Sequence, residues 1–339
     1  MRAIKRAGIA LLSVLLLSLS FTSCKQQGQE GQGFKRLQAD PVKVKIHRYE
    51  QALFQLDANA LQKGLPGLQP DFSFFLGENY LAPENLSRLN GYVSDTLIRS
   101  LYQATQIAYP QLDSLETSLG VALANYQQAF PAKKLPKVYT YVSGLDYENP
   151  VRAVDSVLLV ALDMYLGQSS RFYQQLGIPA YKTLGLERTN IAADCMKQLA
   201  FPLIRDSKRD KTLLDWMVMQ GKVLYFLDAT LPEGQDAYKI TYKPEQIKWC
   251  YENEKLIWSF LISQKLLFRT DRQYVQDFIA DAPFTKGFSK ESPGRIGVWT
   301  GWQIVRAYMA KNEGVSLQQL FDNEDSQKIL KDSGYKPGK

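Results

Sequence analysis

Past residue 163 the chain reads as helix almost without interruption, and this one-sided distribution of periodicities limits the possible folds more than any motif does. Helical spacing covers Ala192–Asp206, Thr212–Ala229, Pro244–Phe268, Arg272–Asp281, Gly301–Lys311 and Leu317–Lys331. Strand-like stretches are confined to the first half. Residues 42–49 alternate Val42, Val44 and Ile46 with Lys43, Lys45 and His47, the period of a half-exposed strand. From Tyr49 to about Gln62 the spacing turns helical. Residues 137–144 (KVYTYVSG) carry the β-branched and aromatic content of a strand. Residues 155–162 (DSVLLVAL) form a near-continuous apolar run, as in a central strand covered on both faces. Between them, Pro83–Tyr109 and Asp113–Phe130 read as amphipathic helices, each stopped by a proline at 110 or 131. Strands early and helices afterwards predict an α+β fold dominated by helix, with a small sheet. One domain over residues 41–339 is the expected organisation.

The N-terminus is a separate matter. Arg2, Lys5 and Arg6 precede an apolar run from Gly8 to Phe21, followed by Thr22, Ser23 and Cys24. A basic head, a short apolar stretch and small residues before a cut make a secretory signal. A cysteine at the cut is what a bacterial lipoprotein signal requires, although Phe21 replaces the usual leucine. The reading is a signal peptide over residues 1–23, with acylation (diacylglycerol and palmitate-like chains) at Cys24. Residues 24–40 are rich in Gln and Gly and read as a flexible tether. The residues next to Cys24 lack an acidic cluster, which favours an outer-membrane anchor facing the periplasm.

Losing the signal removes three basic residues and no acids, taking the formal net charge from +7 to +4. The remaining charges are interspersed. A nucleic-acid reader would concentrate them in a basic stripe, so no nucleic-acid partner is expected. The only histidine is His47, which reads as a solvent-side strand residue. One histidine cannot supply a typical catalytic zinc site, and no nucleophile motif accompanies it for a serine or cysteine triad. No P-loop or dinucleotide fingerprint is present. No metal and no cofactor are predicted. Cys195 and Cys250 could pair in an oxidising compartment or remain buried thiols.

Six positions draw attention on chemical grounds. In the helix reading of 244–268, Glu254 falls on the apolar stripe of Ile247, Cys250, Tyr251, Ile257 and Leu261. A carboxylate there must be paired, hydrogen-bonded or protonated. The helix LLDWMVMQGKVLYFLDA is apolar almost all round, yet holds Gln220 and Lys222. Arg295 sits in SPGRIGVWTGWQIVRAYM among glycines that suggest close backbone approach. Glu254, Arg295 and Lys222 are therefore expected to form one internal charge cluster: a structural ion pair, a ligand- or partner-facing groove, or an active site. Asp163 closes the apolar strand and either joins a site at its end or caps the next turn. Trp299 and Trp302 are core anchors or a binding platform.

Several stretches, in order, resemble one family: LVALDMYLG, QGKVLYFLDATLP, ITYKPEQIKWCYENEKLIW, LLFRTD, DAPFT, SPGRIGVWTGWQIVRAYM and SGYKP. They look like the gliding-motility lipoprotein GldB family of the Bacteroidota. The resemblance implies a membrane-anchored envelope lipoprotein that works with envelope or motility-machinery proteins and is not an enzyme. A more distant likeness is to zinc peptidases of the zincin type, with Asn253-Glu254 like a third-ligand helix and SPGRIGVWTGW like a closing turn. The H-E-x-x-H pair of histidines is missing, so that likeness implies a pseudoenzyme, a degenerate zincin-like scaffold without its metal. Two other functions remain open from the residues alone. One is an envelope hydrolase with Glu254 and Asp163 as acid and base. The other is a glycan- or peptide-binding lipoprotein presenting Trp299 or Trp302.

Overall fold

The computed structural model describes residues 37–231 and 234–338. The signal peptide, Cys24 and the tether up to residue 36 lie outside the described residues. The last part of the expected tether is already docked. Leu37 N donates to Ala229 O at 3.3 Å and Ala39 N to Asn125 Oδ1 at 2.9 Å.

The chain opens with β1 (Ile46–Arg48) and five helices: α1 (Tyr49–Phe54), α2 (Leu61–Leu76), α3 (Pro83–Ser94), α4 (Thr96–Ala108) and α5 (Asp113–Ala129). The sheet is completed by β2 (Lys137–Tyr141), β3 (Val151–Val154) and β4 (Val157–Ala161), in spatial order β1-β2-β4-β3. β1, β2 and β4 run parallel, while β3 is antiparallel to β4 on the edge. Helices then follow: α6 (Arg171–Gln175), α7 (Ala180–Thr183), α8 (Ile191–Ala200), α9 (Leu213–Thr230), α10 (Asp236–Ile240) and α11 (Pro244–Glu252). The chain ends with α12 (Glu254–Ser263), α13 (Arg272–Ile279), α14 (Ile296–Lys311), α15 (Leu317–Asp322) and α16 (Ser326–Ser333). The fold is α+β and helix-dominated, as the distribution of periodicities predicts.

The first strand is shorter than expected. Residues 42–45 alternate between half-buried and exposed as a strand would, but only 46–48 pair with a neighbour. Edge strand β3 is missing from the sequence reading, because its four residues are too few to show alternation. Asp155 is a turn residue between β3 and β4, with φ of 51°. His47 is half-buried rather than solvent-side: its ring lies 5.0 Å from that of Tyr139 and 6.4 Å from that of Phe72. Desolvation, helped by Lys45, lowers its pKa.

Side chains alternate across the sheet as the period of two requires. Val138, Leu158 and Val160 join one core with Leu101, Leu119 and Ile191 from α4, α5 and α8. Tyr139 and Leu159 point the other way, onto Leu53, Leu65 and Val93 of α1, α2 and α3. A third core is built from helices, with α9 inside it. Only Asp215, Trp216, Met219 and Gln220 of that helix are not fully buried. Its start is set by a capping box, Thr212 with Asp215. The long helices expected at 83–109, 244–268 and 317–331 are each broken. Asp95 leaves helical geometry and caps α4 by accepting from Ile98 N at 2.9 Å. Asn253 (φ −106°, ψ 10°) separates α11 from α12. Residues 323–325 separate α15 from α16. Cys195 and Cys250 are buried free thiols, one in the sheet core and one in the helical core.

Candidate functional site

Polar chemistry concentrates where α9 crosses α14. The two helices touch backbone to backbone: a β-carbon at Gly301 would stand 1.9 Å from Met217 O, and one at Gly221 only 2.3 Å from Gly301 O. Glycine is required at both positions because any side chain would occupy the space of a main chain. Beside this crossing lies Asp228, fully buried near the C-terminal end of α9. Its carboxylate accepts from Arg306 Nε and Nη2, both at 2.8 Å, from Lys239 Nζ at 2.7 Å and from Trp302 Nε1 at 2.9 Å.

Arg306, on α14, reaches onward to Asp236 at the start of α10. Its Nη1 and Nη2 donate to the two Asp236 oxygens at 2.7 and 2.6 Å, and Nη1 also donates to Tyr251 Oη at 3.2 Å. Tyr251 Oη itself donates to Asp236. The guanidinium lies 3.7 Å above the Trp302 ring. Two carboxylates and two cations thus sit together with balanced charge and bidentate geometry, the arrangement in which an arginine is held most firmly. Burial alone would raise the Asp236 pKa, but hydrogen bonds and charge from Arg306, with help from Tyr251 and Lys239, outweigh it and hold the group low. Burial opposes the Arg306 charge too, yet Asp236 and Asp228 together push its pKa up.

Glu254, Arg295 and Lys222 do not form the expected cluster. Among the described residues no ion pair joins any two of them. The break at Asn253 makes Glu254 the first residue of α12 instead of part of a continuous stripe. Its half-buried carboxylate accepts from Tyr335 Oη at 2.8 Å. Burial raises its pKa and the Tyr335 hydrogen bond lowers it in part.

Arg295 is a loop staple. It takes a left-handed conformation (φ 61°) directly before α14, pairs with Asp281 at 3.0 Å and donates from Nη2 to Ile240 O at 2.6 Å. The glycine reading of that stretch holds: a β-carbon on Gly294 would stand 2.1 Å from Ala282 O. Thr285 Oγ1 completes the turn by donating to Pro293 O at 2.7 Å and accepting from Ile296 N at 3.3 Å.

Asp163 is fully buried and clamps a loop. It accepts from Ser143 N and Leu145 N, both at 2.8 Å, and from Ser143 Oγ at 3.0 Å. Leu145 needs holding, since its φ is 70°. Asp163 belongs to the sheet half and Glu254 to the helical half, so they do not stand as an acid–base pair. Trp299 and Trp302 are fully buried core anchors, not a surface platform. Trp299 stands edge-on to Tyr251, centroids 5.5 Å apart.

Lys222 lies about a third of a turn around α9 from Asp228. It is buried, 3% exposed, and Nζ donates to Asn323 O at 2.5 Å. Desolvation is the main cause that lowers its pKa to about 8, opposed by Glu324 and Asp322 and reinforced by Lys208. This has a consequence for stability. Between pH 8 and 10.5 the unfolded chain holds a proton that the folded lysine releases, so stability rises with pH across that window. Lys222→Met is expected to stabilise the protein at pH 7 by on the order of 2 kcal/mol, with the gain fading by pH 10.5. Urea denaturation at both pH values measures it; an equal difference at both would contradict the assigned cause.

Asp228, Arg306 and Asp236 were not singled out from the sequence. Asp228 and Arg306 are charges inside apolar helical stretches, as Glu254 was thought to be, and that signal was legible. Asp236 gave none, being one acid among several in a polar connection. Among the described residues no group of three or more His, Cys, Asp or Glu side chains gathers as a metal ion would need. No helix among them is long and apolar enough to cross a membrane.

A protein-family model described as gliding motility protein GldB, and labelled as a lipoprotein family, matches residues 33–337. No curated protein and no solved structure matches the chain. The zincin-like likeness therefore gains no support.

Proposed function

The chain belongs to the GldB gliding-motility family, and we propose that it serves there as a lipid-anchored, non-enzymatic envelope protein acting through contacts with other proteins. The anchor would be acylated Cys24, and the outer membrane facing the periplasm is the proposed site. One observation carries the non-enzymatic part of this reading: Asp228, Lys239 and Arg306, three of the four buried charged side chains of the helical half among the described residues, are engaged with one another. Arg306 spends its N–H groups on Asp228, Asp236 and Tyr251. Asp228 meets Arg306, Lys239 and Trp302. Groups so occupied hold helices together and leave little free valence for general acid–base work, which needs a proton acceptor within reach of a substrate.

Two experiments test the parts separately. Cys24→Ala should move the protein from the membrane pellet to the soluble envelope fraction, because acyl chains contribute about 0.8 kcal/mol per buried CH2. Continued pelleting after a salt wash would rule out the lipid anchor. In-cell crosslinking of the wild-type chain should recover the same envelope or motility proteins in repeated preparations. A chain that yields no crosslinked partner, yet turns over an envelope substrate in purified form, would overturn the contact reading.

A further inference from the structure

A small, open cleft lies along α9 beside Lys222. One wall is a single helical stripe, Asp215, Val218, Met219 and Lys222, spaced so that all face one way. Ser326, the first residue of α16, and Ile204 stand across from it. We propose that this cleft binds a carboxylate carried on a short aliphatic stem, with the Lys222 ammonium as its counter-charge.

The charges of the cleft support that choice. Its acids are each matched to a base on the rim: Glu324 to Arg205 at 2.7 Å, Asp215 to Lys208 at 2.6 Å and Asp206 to Lys211 at 2.6 Å. Lys222 is the cation left over. Its ammonium donates to the Asn323 carbonyl, a neutral acceptor, and has two further N–H groups to place. A buried ammonium without a carboxylate is costly, and that cost is relieved when an anion arrives.

The occupant's charge is bounded from above. A single surplus positive charge suits a monoanion, whereas the dianion of a phosphate monoester would leave the cleft with a net negative charge. Val218, Met219 and Ile204 offer apolar contact for a carbon stem. Carboxylate on a stem is the chemistry shared by a small aliphatic acid and by a glutamate side chain of a peptide.

Titration calorimetry on the full chain tests the proposal with four probes: butyrate, its neutral amide butyramide, inorganic phosphate, and an acetylated, amidated Gly-Glu-Gly tripeptide. Butyrate or the tripeptide should bind at one site, and whichever binds more tightly identifies the source. Butyramide should not compete, and phosphate should bind more weakly. Lys222→Met should weaken binding about ten- to a hundredfold, the loss expected for one charge-assisted hydrogen bond. Affinity should fall as pH rises through about 8, where Lys222 loses its proton. The other charged groups facing Lys222 are Arg205, Lys208, Lys211, Asp206, Asp322, Asp215 and Glu324, and hydrogen bonds hold the last two carboxyls below their usual range.

A second readout does not depend on the variant folding. With lysines labelled at Cε, the Lys222 resonance of the wild-type protein should shift on adding butyrate, and its titration midpoint should rise. A silent resonance, an unaltered affinity in Lys222→Met, or tighter binding of phosphate than of either carboxylate would overturn the proposal.

Discussion

Asp228→Ala is expected to cost about 3–5 kcal/mol of folding stability, the usual penalty for removing one partner from a buried ion pair. Three side chains lose an acceptor at once: Arg306, Lys239 and Trp302. Lys239 is 2% exposed and Arg306 8%, so water cannot easily take over the vacated bonds. The asymmetry within the cluster sharpens the expectation. Asp236 is 25% exposed at its side chain, so water can replace part of what it supplies, and Asp236→Ala should cost clearly less. Urea denaturation with an unchanged m-value reads the difference directly. Equal losses for the two substitutions would mean that burial does not set the energetics of this cluster. Acid should show the Asp236 contribution separately. Its folded pKa is lowered, so the stability it supplies is complete above the unfolded value of 3.8 and is lost as pH falls through the folded one.

Gly301→Ala is expected to cost more than about 3 kcal/mol, at or past the upper end of ordinary overpacking. The added carbon would stand 1.9 Å from the carbonyl of Met217, so no side-chain rotation relieves it and α9 and α14 must separate. Trp299, Trp302 and the Asp228–Arg306 contact all depend on that separation. Gly221→Ala strikes the same crossing from the other helix, 2.3 Å from Gly301 O, so the double variant should cost less than the sum of the two. Gly91→Ala is the matched control. It lies inside α3 with nothing within 4 Å of the added carbon, and should be neutral or slightly stabilising, by up to about 1 kcal/mol. Thermal denaturation of the three variants separates helix propensity from the close approach. A Gly301→Ala protein as stable as the Gly91→Ala control would refute the backbone contact.

Much of the fold was legible. The strand at 137–141, the buried strand at 157–161 and the helix at 213–230 appear where composition and periodicity predict. What failed did so for identifiable local reasons. A strand of four residues shows no alternation. A helix broken at one asparagine keeps its average spacing, so Glu254 stays half-buried on the side of Ile257 and Leu261, but its partner is a tyrosine and not a cation. The candidate site was less legible than the fold. Lys222 stands out in the sequence as a charge in an apolar helix, but its partner is the Asn323 carbonyl and not Glu254. Asp228 and Arg306 carried the same signal and form the actual cluster.

The boundary between the two kinds of knowledge follows from range. The class of fold, the order of elements, the family and the placement of the glycines are written in runs of a few residues, where spacing and steric limits act. Which carboxylate meets which cation is a matter of contacts between residues 78 apart for Arg306 and Asp228, and 81 apart for Tyr335 and Glu254. Those pairings depend on the rotational phase of each helix about its axis and on how closely two backbones approach. Packing of the whole chain sets both, and so only the tertiary structure could assign Asp281 to Arg295, Tyr335 to Glu254, and no carboxylate to Lys222.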